Sequence, residues 1–127
     1  YRFILLGDLD QNNPSSLTNI QINKINSHPI LEWHKHTKDI RQYLKKTKLL
    51  IFLSHREGLP RTIIESLFMC TPILCYNVIG CNEIVIDEFN GKIVDRGSID
   101  SLASNLINLL NNDNKLLYLS QNSRKSI

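Results

Sequence analysis

The chain has 127 residues, with 15 Lys+Arg against 12 Asp+Glu and a formal net charge of +3. That length fits one domain, the apolar share of 42% is enough for one real core, and so mild a positive excess does not call for nucleic acid. Cys70, Cys75 and Cys81 form an odd set without a CxxC, which argues against a disulfide framework and for a reducing compartment; no apolar run is long enough to span a bilayer, and no signal peptide is visible.

Phe3-Ile4-Leu5-Leu6 reads as a buried strand ended by Gly7-Asp8. A strand so near the first residue leads us to expect a chain truncated at its start. Asn13-Pro14-Ser15-Ser16 is a turn and a helix start, with Leu17, Ile20 and Ile25 as its expected buried positions. Residues 30–33 form a second short strand, and residues 39–46 a helix with Ile40, Tyr43 and Leu44 on one face. Leu49-Leu50-Ile51-Phe52-Leu53 is apolar at every position, as a parallel strand covered on both faces is. Residues 60–69 read as a helix with Pro60 at or near its first turn, where a missing N–H costs nothing.

Ile73-Leu74-Cys75-Tyr76 is another buried strand, and residues 82–86 are a short helix whose start Glu83 supports. Gly80 and Gly91 read as turn glycines, with Asn90-Gly91 the turn before a short strand at Ile93-Val94. Ser98 caps a helix whose core stripe is Ile99, Leu102, Ala103, Leu106, Ile107 and Leu110. A last helix runs from residue 113 to about 124 and frays at its end.

Strands alternating with helices predict an α/β chain: a three-layer Rossmann-like domain with a parallel sheet. Ligands of such sheets bind beyond the carboxyl ends of the strands. That selects the loops after Leu6, Trp33, Leu53 and Tyr76. The loop after Leu53 carries the chemistry: Ser54-His55-Arg56-Glu57-Gly58-Leu59-Pro60-Arg61-Thr62-Ile63-Ile64-Glu65. It opens a helix, and the free N–H groups and positive dipole end there suit a phosphate. Arg61 adds a full charge. In a helix starting at Pro60, Glu65 lies roughly 7.5 Å further along the axis. Carboxylates on either side of a phosphate site each grip hydroxyls through charge-assisted bonds. A nucleotide sugar has that layout: sugar, pyrophosphate, ribose. His34-x-His36 has no third ligand at a convincing spacing, so no metal is expected. Lys35, Lys38, Arg41, Lys45, Lys46 and Lys48 read as a solvated face, with peripheral membrane contact the lesser reading.

These pieces, in order, resemble glycosyltransferase family 4, the GT-B group called "glycosyl transferases group 1". The run Ser54-x-x-Glu57-Gly58-x-Pro60 followed by Glu65 resembles its signature, as do Gly80-Cys81-x-Glu83-x-Val85 and the Asn90-Gly91-x-x-Val94 turn downstream. One departure is Met69-Cys70-Thr71 before Pro72, where relatives carry Gly; a left-handed helix stop must be made here without it. The resemblance implies that residues 1–127 are a single C-terminal nucleotide-sugar-binding domain, one half of a GT-B fold. The N-terminal acceptor domain, and an upstream Arg and Lys that clamp the pyrophosphate, are expected to be missing, so the fragment alone is expected to be inactive.

The implied activity is retaining transfer from a UDP- or GDP-type sugar donor to a glycan or lipid-linked acceptor, as in polysaccharide biosynthesis. No metal or cofactor is implied. The implied place is the cytoplasm, at the inner face of the membrane. By resemblance Glu57 contacts donor-sugar hydroxyls and stabilises developing positive charge, which makes it the catalytic candidate. Backbone N–H groups of Gly58 and Leu59 lie near the sugar, and Pro60 shapes the turn. Arg61 and the N–H groups of Thr62 and Ile63 face the pyrophosphate, Glu65 binds the ribose, and the base lies near Gly7 and the loop after Trp33. Two alternatives stand beside this: a nucleotide or nucleotide-sugar binding module without transferase activity, and a GT-B nucleotide-sugar epimerase. The Glu57/Glu65 pair with Gly58-Leu59-Pro60 favours the transferase over the epimerase.

Overall fold

The computed structural model describes residues 1–10, 12–13 and 16–127. It forms two compact units, Tyr1–Ile40 and Arg41–Ile127.

In the first unit β1 (Phe3–Leu6) and β2 (Leu31–His34) pair in parallel, Phe3 opposite Leu31 and Leu6 opposite His34. The second strand sits one residue later than expected. The helix between them, α1 (Asn19–Ser27), packs on β2. It starts later than the Asn13–Ser16 signal; Pro14 and Ser15 of that signal lie outside the described residues. Its start is set by Thr18, whose hydroxyl accepts the Gln21 N–H while the Gln21 side chain accepts the Thr18 N–H. This capping box satisfies two helix-end donors at once. The late start also moves the buried face. Ile22 is buried, whereas Ile20, an expected core position, is 70% exposed.

The second unit is a three-stranded parallel sheet in the order β3 (Leu50–Phe52), β4 (Ile73–Tyr76), β5 (Gly91–Val94). Its helices are α2 (Arg41–Leu44), α3 (Arg61–Phe68), α4 (Ile99–Leu110) and α5 (Asp113–Ser123), followed by a 3-10 turn at Arg124–Ser126. The central strand β4 is buried along its whole length, and its alternating side chains build two cores. Ile73 and Cys75 pack with Ile63 and Leu67 of α3 and with Cys81 and Val85. Leu74 and Tyr76 pack on the other face with Val94, Leu109, Leu116 and Leu119. The result is helix, sheet and helix in three layers. Each fully buried Ile or Leu contributes about 1.5–3 kcal/mol of transfer free energy.

The left-handed stop of α3 is made without glycine. Cys70 takes φ +59, Thr71 N–H donates to the Ser66 carbonyl at 2.9 Å, and Cys70 N–H donates to the Leu67 carbonyl at 3.0 Å. This pair of bonds is the Schellman arrangement.

Several expected elements come out shorter or shifted. The helix over 39–46 is helical only at Arg41–Leu44, because Lys46 and Thr47 tighten into turns on Tyr43 and Leu44. Residues 82–84 are turns and 85–86 are irregular, so no helix forms: the Ile86 N–H bonds the buried Asn90 side chain at 2.8 Å instead of a helical carbonyl. Gly91 begins β5 and is not a turn residue. On α4 the expected stripe splits. Leu102, Leu106 and Leu109 face the core, while Ile99 and Ile107 are 76% and 57% exposed. The edge strand β5 is guarded by Asp87, whose carboxylate accepts the Ile93 N–H at 2.8 Å. All three cysteines are free thiols.

Candidate functional site

The segment from β3 to α3 assembles eight of the nine predicted site residues. Leu53 leaves the sheet at the carboxyl end of β3, and residues 53–60 form an irregular loop before α3. Pro60 is the N-cap of the helix and not its first residue; it is extended at φ −74 and ψ 93 and makes no side-chain cap. Its buried ring fixes the turn, and its carbonyl accepts the Ile63 N–H at 3.0 Å and the Ile64 N–H at 3.3 Å.

Ile63, expected to offer its N–H to the pyrophosphate, has a side chain fully buried in the core, and its N–H donates to the Pro60 carbonyl. The N–H groups left without an intrahelical partner are those of Arg61 and Thr62, as the geometry of a helix start requires. With no side chain capping them, they form an open donor pair at the positive end of the dipole. The exposed Arg61 stands beside them.

The two carboxylates take different positions. Glu57 is half-buried in the loop, flanked by exposed Gly58 and Leu59, whereas Glu65 is exposed on the second turn of α3. The Glu57–Gly58 stretch rests on another loop, the one that follows β4. A Cβ on Gly80 would lie 2.5 Å from the Gly58 carbonyl oxygen and 2.9 Å from that of Glu57. The next residue, Cys81, is fully buried. Burial pushes its thiol up, and the nearby Glu57 carboxylate pushes it further in the same direction. Cys75 is pushed up to about 12, mainly by burial and then by Cys81. Neither thiol ionises near neutrality, so no second negative charge arises beneath Glu57. His55 stacks on Tyr76, the last residue of β4, with ring centroids 6.1 Å apart.

Gly7, the ninth predicted residue, lies in the first unit, just past β1. Its carbonyl accepts the Trp33 indole N–H at 3.0 Å, and no atom lies within 4 Å of where a Cβ would stand. Glu83 is exposed in the turn region. His34 is engaged by the Glu32 carboxylate at 3.1 Å. Among the described residues no group of three His, Cys, Asp or Glu side chains is arranged to hold a metal, and no helix is long and apolar enough to cross a membrane. An open polar groove of about 500 Å³ runs along β5, between Asn77, Asp87, Lys92, Asp95, Ser101 and Asn105. None of the predicted site residues lines it.

The part of the site that sequence reasoning missed is Gly80. Its Gly80-Cys81 pair was legible as a turn, but its contact with the Glu57 loop joins residues more than twenty positions apart and leaves no periodic signal.

The chain is similar to the capsular polysaccharide biosynthesis glycosyltransferase CapM of Staphylococcus aureus, 24% identical over 126 residues, 99% of this chain and 33% of that protein. It is 31% identical over 98 residues to the UDP-Gal:alpha-D-GlcNAc-diphosphoundecaprenol alpha-1,3-galactosyltransferase of Escherichia coli, 77% of this chain and 24% of that protein. It therefore spans a third or less of the length of these curated relatives. Among solved structures, HepE of Anabaena in complex with UDP and glucose superposes with a TM-score of 0.85 over 98% of this chain and 35% of that one, at 20% identity, a likeness of fold. The sequence pattern of "Glycosyl transferases group 1" matches residues 1–126. Since that match runs along almost the whole chain, the chain belongs to the glycosyl transferases group 1 family.

Proposed function

We propose that this chain is the donor-binding domain of a retaining glycosyltransferase, which moves a sugar from a nucleotide sugar to a hydroxyl of a glycan or lipid-linked acceptor. The observation that carries this reading is the β3–α3 crossover. An uncapped helix start offers the Arg61 and Thr62 N–H groups, with half-buried Glu57 before it and exposed Glu65 beyond it. The diphosphate sits on the helix start, where Arg61 adds charge. Glu65 accepts from the ribose hydroxyls. Glu57 accepts from donor-sugar hydroxyls, and its carboxylate opposes the positive charge that grows on the anomeric carbon as the bond to the diphosphate breaks. Gly58 and Leu59 keep the loop backbone close to the sugar. The names of CapM and of the galactosyltransferase agree with a glycan or lipid-linked acceptor.

The test is binding. UDP and GDP are titrated into the isotope-labelled chain and amide shifts followed by NMR. Shifts are expected at Gly58, Arg61, Thr62 and Glu65. Glu65→Ala is expected to weaken the bound nucleotide about tenfold, the equivalent of about one charge-assisted hydrogen bond, while Glu83→Ala leaves it unchanged. Equal effects of the two substitutions would refute the assignment.

A further inference from the structure

Among the described residues, the loop that carries Glu57 has no side-chain cap, salt bridge or helix of its own. Its internal tie is the Ser54 hydroxyl, which donates to the Arg56 carbonyl at 3.2 Å. What lies under Glu57 and Gly58 is the turn after β4. That turn is stiff: Cys81 and Asn82 N–H groups both donate to the Val78 carbonyl at 3.1 Å, and the Asn82 side-chain amide donates to Asn77 at 2.9 Å. It is also rooted in the core, since Cys81 and Val85 are buried with Cys75 of β4 and with Ile63 and Leu67 of α3. At its apex Gly80 has φ +87, a conformation L-residues adopt at a cost, and the Glu57 and Gly58 carbonyls fill the space a side chain would need.

We propose that Gly80 is the positioning residue of the donor-sugar subsite: the bare Cα at the apex of the rigid turn is the seat for the Glu57–Gly58 peptide and sets how deep the Glu57 carboxylate stands. The proposal rests on the reading of Glu57 as the sugar contact. A methyl group at Gly80 must push the Gly58 carbonyl from 2.5 Å to an ordinary contact near 3.4 Å, a retreat of 0.9 Å. A hydrogen bond near 2.9 Å does not survive such a shift. The sugar end of the donor loses its grip, while Arg61, Thr62 and Glu65 on α3 keep theirs.

UDP and UDP-glucose are the probes, titrated by NMR and calorimetry into the whole chain and into Gly80→Ala. Wild type is expected to bind UDP-glucose more tightly than UDP. In Gly80→Ala that increment is expected to fall about tenfold, with amide shifts at Glu57, Gly58 and Leu59, while UDP affinity stays within twofold. Gly91→Ala is the control. A Cβ there meets the Ile73 carbonyl at the same 2.5 Å and the Val85 side chain at 2.8 Å, so it strains the sheet and the shared core without touching the Glu57 loop, and is expected to reduce the sugar increment less than Gly80→Ala does. Asn77→Ala frees the turn from its side-chain tie at an exposed position and is expected to reduce the increment in the same direction. It decides the matter if Gly80→Ala does not fold. An increment that persists in both variants, or that Gly91→Ala removes as fully, overturns the role of Gly80 alone. Wild-type UDP-glucose shifts that avoid Glu57, Gly58 and Glu65 overturn the donor-site reading, and this proposal with it.

Discussion

Replacing Cys70 with glycine is expected to stabilise the chain, although it deletes a side chain. Cys70 closes α3 at φ +59, where its Cβ crowds the backbone. For an L-residue this conformation costs about 1–2 kcal/mol. Glycine removes that cost but adds unfolded-state freedom that opposes folding by about 0.5–1 kcal/mol. The Cys70 side chain is exposed, so little packing is lost. The bond from the Ser120 hydroxyl ends on the Cys70 backbone carbonyl and survives the change. The net gain is about 0.5–1 kcal/mol. Unfolding entropy for 127 residues is roughly 270 cal/mol/K. The gain then corresponds to a rise in Tm of about 2–4 °C, read by calorimetry. Cys70→Ala keeps the Cβ and the strain, and is expected to stay within about 0.5 kcal/mol of wild type. A glycine variant no more stable than the alanine variant would show that the left-handed stop is not strained.

Ser66 of α3 is fully buried and its hydroxyl has no hydrogen-bond partner among the described residues. Ser66→Ala removes that unsatisfied group and favours the helix, so urea unfolding is expected to show a gain of about 1–2 kcal/mol. The thiols should separate by environment: at pH 8 a thiol reagent is expected to modify Cys70 in the native chain and all three cysteines in denaturant, since Cys75 and Cys81 are buried and held protonated. Rapid native labelling of Cys75 would contradict the packing around β4. Glu88 is held below the usual carboxylate range by Lys115 and then Lys92, and Lys92 is raised by Glu88 despite its partial burial. A lowered carboxylate contributes stability above its unfolded value, about 4.3, and loses that contribution as pH falls through the folded value. A raised lysine contributes below its unfolded value, about 10.4, and loses that contribution as pH rises through the folded one. Glu88→Gln is therefore expected to flatten the acid side of the Tm profile below about pH 4.3, and added salt to mimic it in part, because the pairs are solvent-accessible.

Much of the fold was legible because the strongest signals are local. Ile73-Leu74-Cys75-Tyr76 is apolar at four successive positions and became the central strand, buried on both faces. Ser98 capped α4 where it was expected to, by accepting the Ser101 N–H. The misses are cases where a local signal was outvoted. Pro14-Ser15-Ser16 looked like a helix start, yet Thr18 with Gln21 supplies the reciprocal cap. Ile99 and Ile107 match the period of the α4 stripe, but the core takes only the narrower row of Leu102, Leu106 and Leu109. The Asn90-Gly91 pair marked a turn, and Asn90 does close one before β5, but no local signal showed that it is also a buried hub, bonding Ile84, Ile86 and Ser126.

The two acids of the site divide along the same line. Glu65 is placed by helix geometry: once Pro60 caps α3, its position follows from the count of residues, so a sequence is enough to predict it. Glu57 is placed by a contact between two loops that meet only because β3 and β4 are neighbours in the sheet. Its placement is a tertiary property, sensitive to Gly80 and to the core beneath Cys81. The same cluster of Ile63, Leu67, Cys75, Cys81 and Val85 supports both the inner face of α3 and the turn under Glu57. A cavity opened there, for example by Leu67→Ala at a cost of about 2–5 kcal/mol, loosens both sides at once. A substitution at Gly80 loosens one. Comparing the two variants for their loss of UDP and of UDP-glucose binding therefore separates damage to the scaffold from misplacement of a single carboxylate.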